Sequence, residues 1–133
     1  MTKTVLLVED EEQVLRLIVK VLEMRGYTVL HAEGSLEALM LSDAHRGNID
    51  LLLADVEIDQ TMSGIELAKV LRRSRPSMRV LYISGYPLDT CSDYGGDLVR
   101  REIQELLAAF LPKPFTPSIL AENVRRAIEE LPV

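Results

Sequence analysis

The stretch VLLVEDEEQVLRLIVKVLEMRGYTVLHA, residues 5–32, opens with four apolar residues, Val5 to Val8, and runs straight into four acids, Glu9, Asp10, Glu11 and Glu12. Apolar positions then recur at helical spacing, at Val14, Leu15, Leu17, Ile18, Val21 and Leu22, until Gly26. Tyr27 to Ala32 is again short, apolar and β-compatible. The stretch therefore predicts strand, helix, strand, with carboxylates crowded where a buried strand ends.

The same grammar continues along the chain. A helix is predicted from Ser35 to about His45, a strand over Leu51 to Ala54, a helix over Ser63 to Arg75 and a strand over Val80 to Ser84. A less regular segment with a helix somewhere in Leu98 to Leu107 follows, then a strand over Ala108 to Leu111 and a last helix over Ser118 to Glu130. Five βα units result. The first, third and fourth strands show no clean alternation of apolar and polar residues, as expected of strands covered on both faces, so the sheet is predicted to be parallel and the fold doubly wound α/β. With 133 residues and no linker, repeat or low-complexity tract, residues 1–133 read as one domain with one ordinary core.

The formal net charge of -6 argues against attraction to nucleic acid or to an anionic membrane. Arg72, Arg73, Arg75, Arg125 and Arg126 are expected on solvated helix faces or at favourable positions in the helix dipole. Cys91 is the only cysteine, which suits a reducing compartment and rules out an internal disulfide. No apolar run approaches the roughly 18 residues of a membrane span, and Met1, Thr2, Lys3 and Thr4 lead into a strand rather than a signal peptide. A cytoplasmic location is expected.

In a doubly wound sheet, ligands bind beyond the carboxyl ends of the strands. The residues there are Glu9 and Asp10 after strand one, Asp55 after strand three, Ser84 after strand four and Lys113 after strand five. Each has a plain alternative. Asp10 could cap the first helix, with Gln13 completing a capping box; Asp55 could be a turn residue, Ser84 a strand terminator, and Lys113 a loop lysine between Pro112 and Pro114. These alternatives do not account for all the groups meeting at one sheet edge. Three carboxylates brought together repel and require cations, which a divalent metal and one lysine supply. Only hard oxygens are on offer, since His31, His45 and Cys91 lie elsewhere, so Mg²⁺ or Mn²⁺ suits the site better than Zn²⁺. Mg²⁺ characteristically shares phosphate oxygens, and Asp55 at the centre can serve as a nucleophile toward a phosphoryl group.

Two binding rivals arise. Counting from Asp55 as the first position, Glu57, Asp59, Thr61, Ser63 and Glu66 nearly spell a calcium-binding EF-hand loop, but Gln60 stands where the sharp turn wants glycine, and a strand precedes it. A flavodoxin-type cofactor binder shares the architecture but needs a phosphate-welcoming first loop, and this one is acidic.

With the stretches VLLVEDEE, LLLADVEI, MSGIELA, VLYISGY and FLPKPF in place, the chain resembles the receiver domains of two-component response regulators, the CheY-like family, over essentially its whole length. The resemblance implies the flavodoxin-like strand order 2-1-3-4-5, for which CheY is a standard example. It implies that Glu9 and Asp10 bind Mg²⁺ with Asp55, that the backbone carbonyl of Glu57 is a further ligand, and that Asp55 is the phosphoacceptor. Ser84 resembles the hydroxyl that bonds the phosphoryl oxygen on activation, Lys113 the lysine that bridges to the acids, and Phe110 the aromatic switch. A cis Lys113-Pro114 peptide is implied too. The implied partner is a sensor histidine kinase or a phosphotransfer protein, with a face built from the fourth helix, fifth strand and fifth helix changing partner preference and serving a possible homodimer.

Some features depart from the family pattern. Phe110 lacks a phenolic hydroxyl, so switching there must act by packing. Pro87, Gly95 and Gly96 interrupt a long connection between Ser84 and Lys113, which puts the fourth helix in question. The loop DVEIDQTMSG lacks a proline and sets the Glu57 side chain beside the site, where it is expected to tune metal affinity or phosphate lifetime. Twenty residues follow Lys113, which reads as a stand-alone regulator or a receiver from a hybrid kinase, with SGY and MSGIEL favouring the latter. An aspartate-nucleophile phosphatase of the haloacid dehalogenase type, with Asp55-x-Glu57 as a damaged motif, and a degenerate binding scaffold are the remaining alternatives.

Overall fold

The computed structural model describes residues 2–85 and 109–129. Its elements run β1 (Thr4–Val8), α1 (Glu12–Met24), β2 (Thr28–Ala32), α2 (Ser35–Ala44), β3 (Leu51–Asp55), α3 (Gly64–Ser74), β4 (Arg79–Ser84), β5 (Ala109–Pro112) and α4 (Pro117–Glu129). The five strands form one parallel sheet in the order β2-β1-β3-β4-β5. This is the predicted doubly wound α/β fold, with boundaries displaced by one or two residues. The helix expected within 98–107, the irregular stretch with Pro87, Gly95 and Gly96, and Cys91 lie outside the described residues.

Successive side chains of a strand point to opposite faces, and each face here carries its own core. Leu6, Val8, Leu52, Ala54, Val80 and Tyr82 pack with Ala38 of α2 and with Ile65, Leu67, Ala68 and Leu71 of α3. Val5, Leu7, Leu51, Leu53, Leu81 and Ile83 pack with Leu15, Ile18 and Leu22 of α1 and with Leu120 and Val124 of α4. Every residue of β3 is buried, because both of its faces are covered. The hydrophobic period is present but unmarked, since both phases are apolar.

The helix ends show how side chains fix the layers. Ser63 accepts from the Glu66 backbone N–H at 3.1 Å, and the Glu66 carboxylate accepts from the Ser63 N–H at 3.1 Å, a capping box that starts α3. Arg75, expected on a solvated face or at a favourable position in the helix dipole, takes the second role and spans from the end of α3 to the end of α2. Its guanidinium donates to the carbonyls of Ser42 (2.9 Å), His45 (2.7 Å) and Gly47 (2.8 Å) and to the Ser42 hydroxyl (2.9 Å). It satisfies the C-terminal carbonyls that a helix leaves open. Arg72 likewise donates to the carbonyls of Met78 and Pro76.

These layers line up the strand ends. Val8 is in register with Ala54, Asp55 with Ile83, and Ser84 with Pro112. Parallel register therefore delivers the residues after β1, β3, β4 and β5 to a single edge.

Candidate phosphoacceptor and metal site

Glu9 leaves β1 with its N–H bonded to the carbonyl of Ala32 at 3.1 Å, and its side chain is completely buried. Asp10 follows it and is exposed. The capping role open to Asp10 is not realised: the N-cap of α1 is Glu11, which makes no side-chain capping bond. Asp55 ends β3 with 9% of its surface exposed. Carboxylate oxygens of Glu9, Asp10 and Asp55 all lie within 4.8 Å of one another, the one such group of three acids or other ligating side chains found among the described residues.

Lys113 reaches this group from the end of β5. Its backbone N–H donates to the carbonyl of Ser84 at 2.8 Å, and the Lys113-Pro114 bond is cis as the resemblance implied. Its Nζ donates to Asp55 Oδ2 at 2.7 Å and stands 3.0 Å from Glu9 Oε1 and 3.6 Å from Glu11 Oε1. Burial would lower the pKa of this ammonium, but hydrogen bonds to Asp55 and Glu9 outweigh it and hold Lys113 above its ordinary value, so it is a fixed cation. Burial pushes the Glu9 carboxyl up, against the opposing pull of Lys113 and of the Glu11 N–H. Glu11 is one of the four acids after β1; its contact with Lys113 follows from the turn into α1, and strand pattern alone gives no sign of it.

The donor set fits a hard divalent cation. Glu9 Oε1 is buried with the Lys113 ammonium 3.0 Å away as its counter-charge, and Glu9, Asp10 and Asp55 together set three carboxylates against that one lysine. The negative charge left over is expensive to hold at one spot unless a further cation joins it, and oxygen donors alone suit a hard one.

The loop after β3 forms the other wall. The Glu57 N–H donates to Asp55 Oδ1 at 3.0 Å, orienting the carboxylate, and Glu57 itself is exposed. Gly64 is required where α3 returns: a Cβ there would sit 2.2 Å from the carbonyl oxygen of Asp55. The sequence MSGIELA contained this glycine, but only the fold shows what it abuts. An open depression of about 510 Å³, lined by Asp10, Glu57, Asp59, Ser63 and Glu66 among others, lies beside the acids. A larger groove of about 780 Å³ along α1 and the end of β2 is lined by Arg16, Lys20, His31, Glu33 and Glu37; it has mixed charge and no converging acids.

The EF-hand alternative fails on the same loop. Asp59 is spent on backbone N–H groups of Ser35, Thr61 and Met62, and Ser63 and Glu66 on each other, so three of its would-be ligands are engaged elsewhere. Ser84 ends β4 with 5% exposure, one strand from Asp55. Phe110, half-buried on β5, stacks obliquely on buried Tyr82 with ring centroids 5.5 Å apart and planes at 41°. No helix among the described residues is long and apolar enough to cross a membrane.

Known proteins share this fold. A family model described as response regulator receiver domain matches residues 5–125. The chain is 35% identical over 127 residues to sensor kinase CckA of Brucella abortus (strain 2308); the match covers 96% of this chain and 13% of that protein, so it spans a small part of the kinase. A CheY-like response regulator receiver domain protein from Methanospirillum hungatei JF-1 superposes with a TM-score of 0.80 at 25% identity, over 98% of this chain and 96% of that one. The receiver domain of hybrid histidine kinase CckA superposes with a TM-score of 0.74 at 33% identity, over 95% and 99% of the two chains. A site of three acids and a lysine on this fold, with a family match over nearly all of the chain, leaves one assignment: the chain belongs to the response regulator receiver domain family.

Proposed function

We propose that the chain is an Mg²⁺-dependent phosphoacceptor switch, in which Asp55 takes a phosphoryl group from a phosphohistidine on a sensor histidine kinase or phosphotransfer protein. The observation that carries this reading is the Lys113 ammonium, 2.7 Å from Asp55 Oδ2 and 3.0 Å from Glu9 Oε1, beside three carboxylates that gather within 4.8 Å. An Asp55 carboxylate oxygen attacks phosphorus; the P–N bond to the donor imidazole breaks, a P–O bond to Asp55 forms, and the imidazole nitrogen keeps the electron pair.

Glu9, Asp10, Asp55 and the backbone carbonyl of Glu57 would hold the Mg²⁺, or Mn²⁺ in its place. The metal, when bound, neutralises phosphoryl oxygens as the donor approaches an otherwise anionic site. Lys113 supplies the remaining positive charge and stays protonated throughout. The Glu57 N–H fixes the rotation of the Asp55 carboxylate. Ser84 offers a hydroxyl to the phosphoryl group after transfer, and Phe110 moves by repacking against Tyr82, since it has no hydroxyl to bond. Hydrolysis of the acyl phosphate by water at the same site returns the protein to its resting state, which makes it a switch rather than a turnover enzyme.

Phosphorylation biases two conformations only by the difference in its contacts with each. The output face is the one containing β5 and α4, together with the helix expected in 98–107, and it is also the candidate homodimer surface. The likeness to a hybrid-kinase receiver supports a place in a phosphorelay, and the net charge of -6 supports a cytoplasmic role without direct contact with nucleic acid or membrane. The test is incubation with Mg²⁺ and acetyl phosphate followed by intact mass measurement. A single phosphoryl adduct is expected in the wild type and none in Asp55→Asn; an adduct that persists in Asp55→Asn moves the acceptor elsewhere, and continuous phosphate release from many esters points to a phosphatase.

A further inference from the structure

We propose that Asp59 is a positioning residue for the metal site, its carboxylate pinning the loop after β3 to the start of α2 so that the Glu57 carbonyl is held ready to ligate. The proposal rests on the reading of Glu57 given above. Asp59 Oδ2 accepts from the Ser35 backbone N–H at 2.8 Å and from the Ser35 hydroxyl at 2.9 Å, while Oδ1 accepts from the backbone N–H groups of Thr61 and Met62, both at 3.0 Å. One carboxylate thus closes its own turn and at the same time reaches an element 24 residues earlier.

The start of α2 is built to receive it. Its N-cap is Gly34, which has no side chain to satisfy the first N–H groups, and Asp59 supplies that oxygen from across the fold. A Cβ on residue 34 would come within 3.1 Å of Asp59 Oδ2, so glycine leaves the carboxylate its place. Ser35 is 1% exposed, so its end of the junction is buried, while Asp59 reaches it from the exposed loop.

The consequence falls on Glu57, which lies between two fixed neighbours. Val56 is fixed by donation of its N–H to the Ile83 carbonyl at 2.9 Å and by acceptance from the Gly64 N–H at 2.8 Å. Ile58 is 4% exposed and packs in the core. The direction of the carbonyl at residue 57 is set by the backbone torsions between Val56 and Asp59, so a fixed Asp59 leaves it little freedom. A ligand that need not be ordered on binding costs less to use, and residues that orient metal ligands commonly change affinity by about 10-fold or more.

The test compares wild type with Asp59→Ala, Asp59→Asn and Ser35→Ala, measuring Mg²⁺ affinity by calorimetry and the Mg²⁺ dependence of phosphorylation by acetyl phosphate. Asp59→Ala is expected to raise the Mg²⁺ dissociation constant and the half-saturating Mg²⁺ about 10-fold, with the rate at saturating Mg²⁺ within about 2-fold of wild type. Asp59→Asn keeps one acceptor oxygen and recovers part of the affinity, and Ser35→Ala, which loses only the hydroxyl contact, shifts it by about 2-fold. If Asp59→Ala fails to fold, the ordering of the other two variants decides: affinity equal to wild type in both overturns the proposal. Lowered thermal stability with unchanged Mg²⁺ affinity would leave Asp59 a helix cap and nothing more. A wild type that binds no Mg²⁺ would instead sink the underlying reading of the site, a result that the wild-type titration reveals by itself.

Discussion

Replacing Lys113 with methionine tests the electrostatics of the site most sharply. Methionine keeps most of the apolar stem and removes the ammonium that stands 2.7 Å from Asp55 and 3.0 Å from Glu9. At an effective dielectric of about 20, each of those contacts has a gross attraction of about 6 kcal/mol, largely offset by the cost of taking the charges out of water. Removing one partner of a fully buried pair typically costs about 3–5 kcal/mol. The side chain of Lys113 is 19% exposed here and Asp10 is open to solvent, so we expect about 2–3 kcal/mol at neutral pH, or a Tm lower by roughly 6–12 °C for a domain of this size. Proton uptake limits the loss. The pKa of Glu9 is already raised by burial, and without Lys113 it rises further. A carboxyl raised in the folded state contributes stability that is full below its unfolded value, near 4.5, and is lost as pH rises through the folded pKa. Urea unfolding in EDTA from pH 4.5 to 8 should therefore show the Lys113→Met deficit growing with pH, and Mg²⁺ should recover part of it. Equal stability at every pH would refute the view that Lys113 neutralises buried charge.

Other substitutions separate scaffold from site. Arg75→Met removes four hydrogen bonds to the end of α2 and should cost about 2–3 kcal/mol in denaturant unfolding, at about 0.5–1 kcal/mol per partly exposed bond, with phosphorylation rates unchanged. Gly64→Ala drives a Cβ to 2.2 Å from the Asp55 carbonyl oxygen, and the backbone must shift to admit it; we expect at least about 3 kcal/mol of lost stability and at least 10-fold slower phosphorylation, read by urea melts and by mass spectrometry. Glu57→Met removes a carboxylate beside the acids and should change Mg²⁺ affinity or acyl-phosphate lifetime by about 2- to 5-fold, measured by titration and by decay of the phosphorylated mass.

The legible part of this protein was the part that repeats. Val5 to Val8 and Leu51 to Ala54 announced buried strands by being apolar without alternation, and parallel register then forced Glu9, Asp10, Asp55, Ser84 and Lys113 to one edge. What pairs with what across distance was hidden. Arg75 reads as a helix-end cation, solvated or in the dipole, and proves to close a helix 33 residues away, and Asp59 reads as one position of a near EF-hand loop and proves to cap another helix. Both are side-chain-to-backbone bonds, which leave no periodic trace. Gly34 offered a faint signal, a helix start with no capping side chain of its own, and the Ser63-x-x-Glu66 spacing offered a clearer one. Asp10 was ambiguous, because an acid before a helix suits a cap and a metal equally well; Glu11 takes the cap position and Asp10 joins the acid group. Strand five ends one residue later than its apolar pattern suggests, because Pro112 completes the pairing with Ser84.

The central claim is that Asp55 is made reactive by a cation held among Glu9, Asp10 and itself, with Lys113 completing the charge. The most direct measurement is the intact mass of the protein after exposure to acetyl phosphate, with and without Mg²⁺, followed by peptide mapping of the adduct. The account predicts one added phosphoryl group, on Asp55, only when Mg²⁺ is present. An adduct formed equally well in EDTA, or carried on a residue other than Asp55, would contradict it.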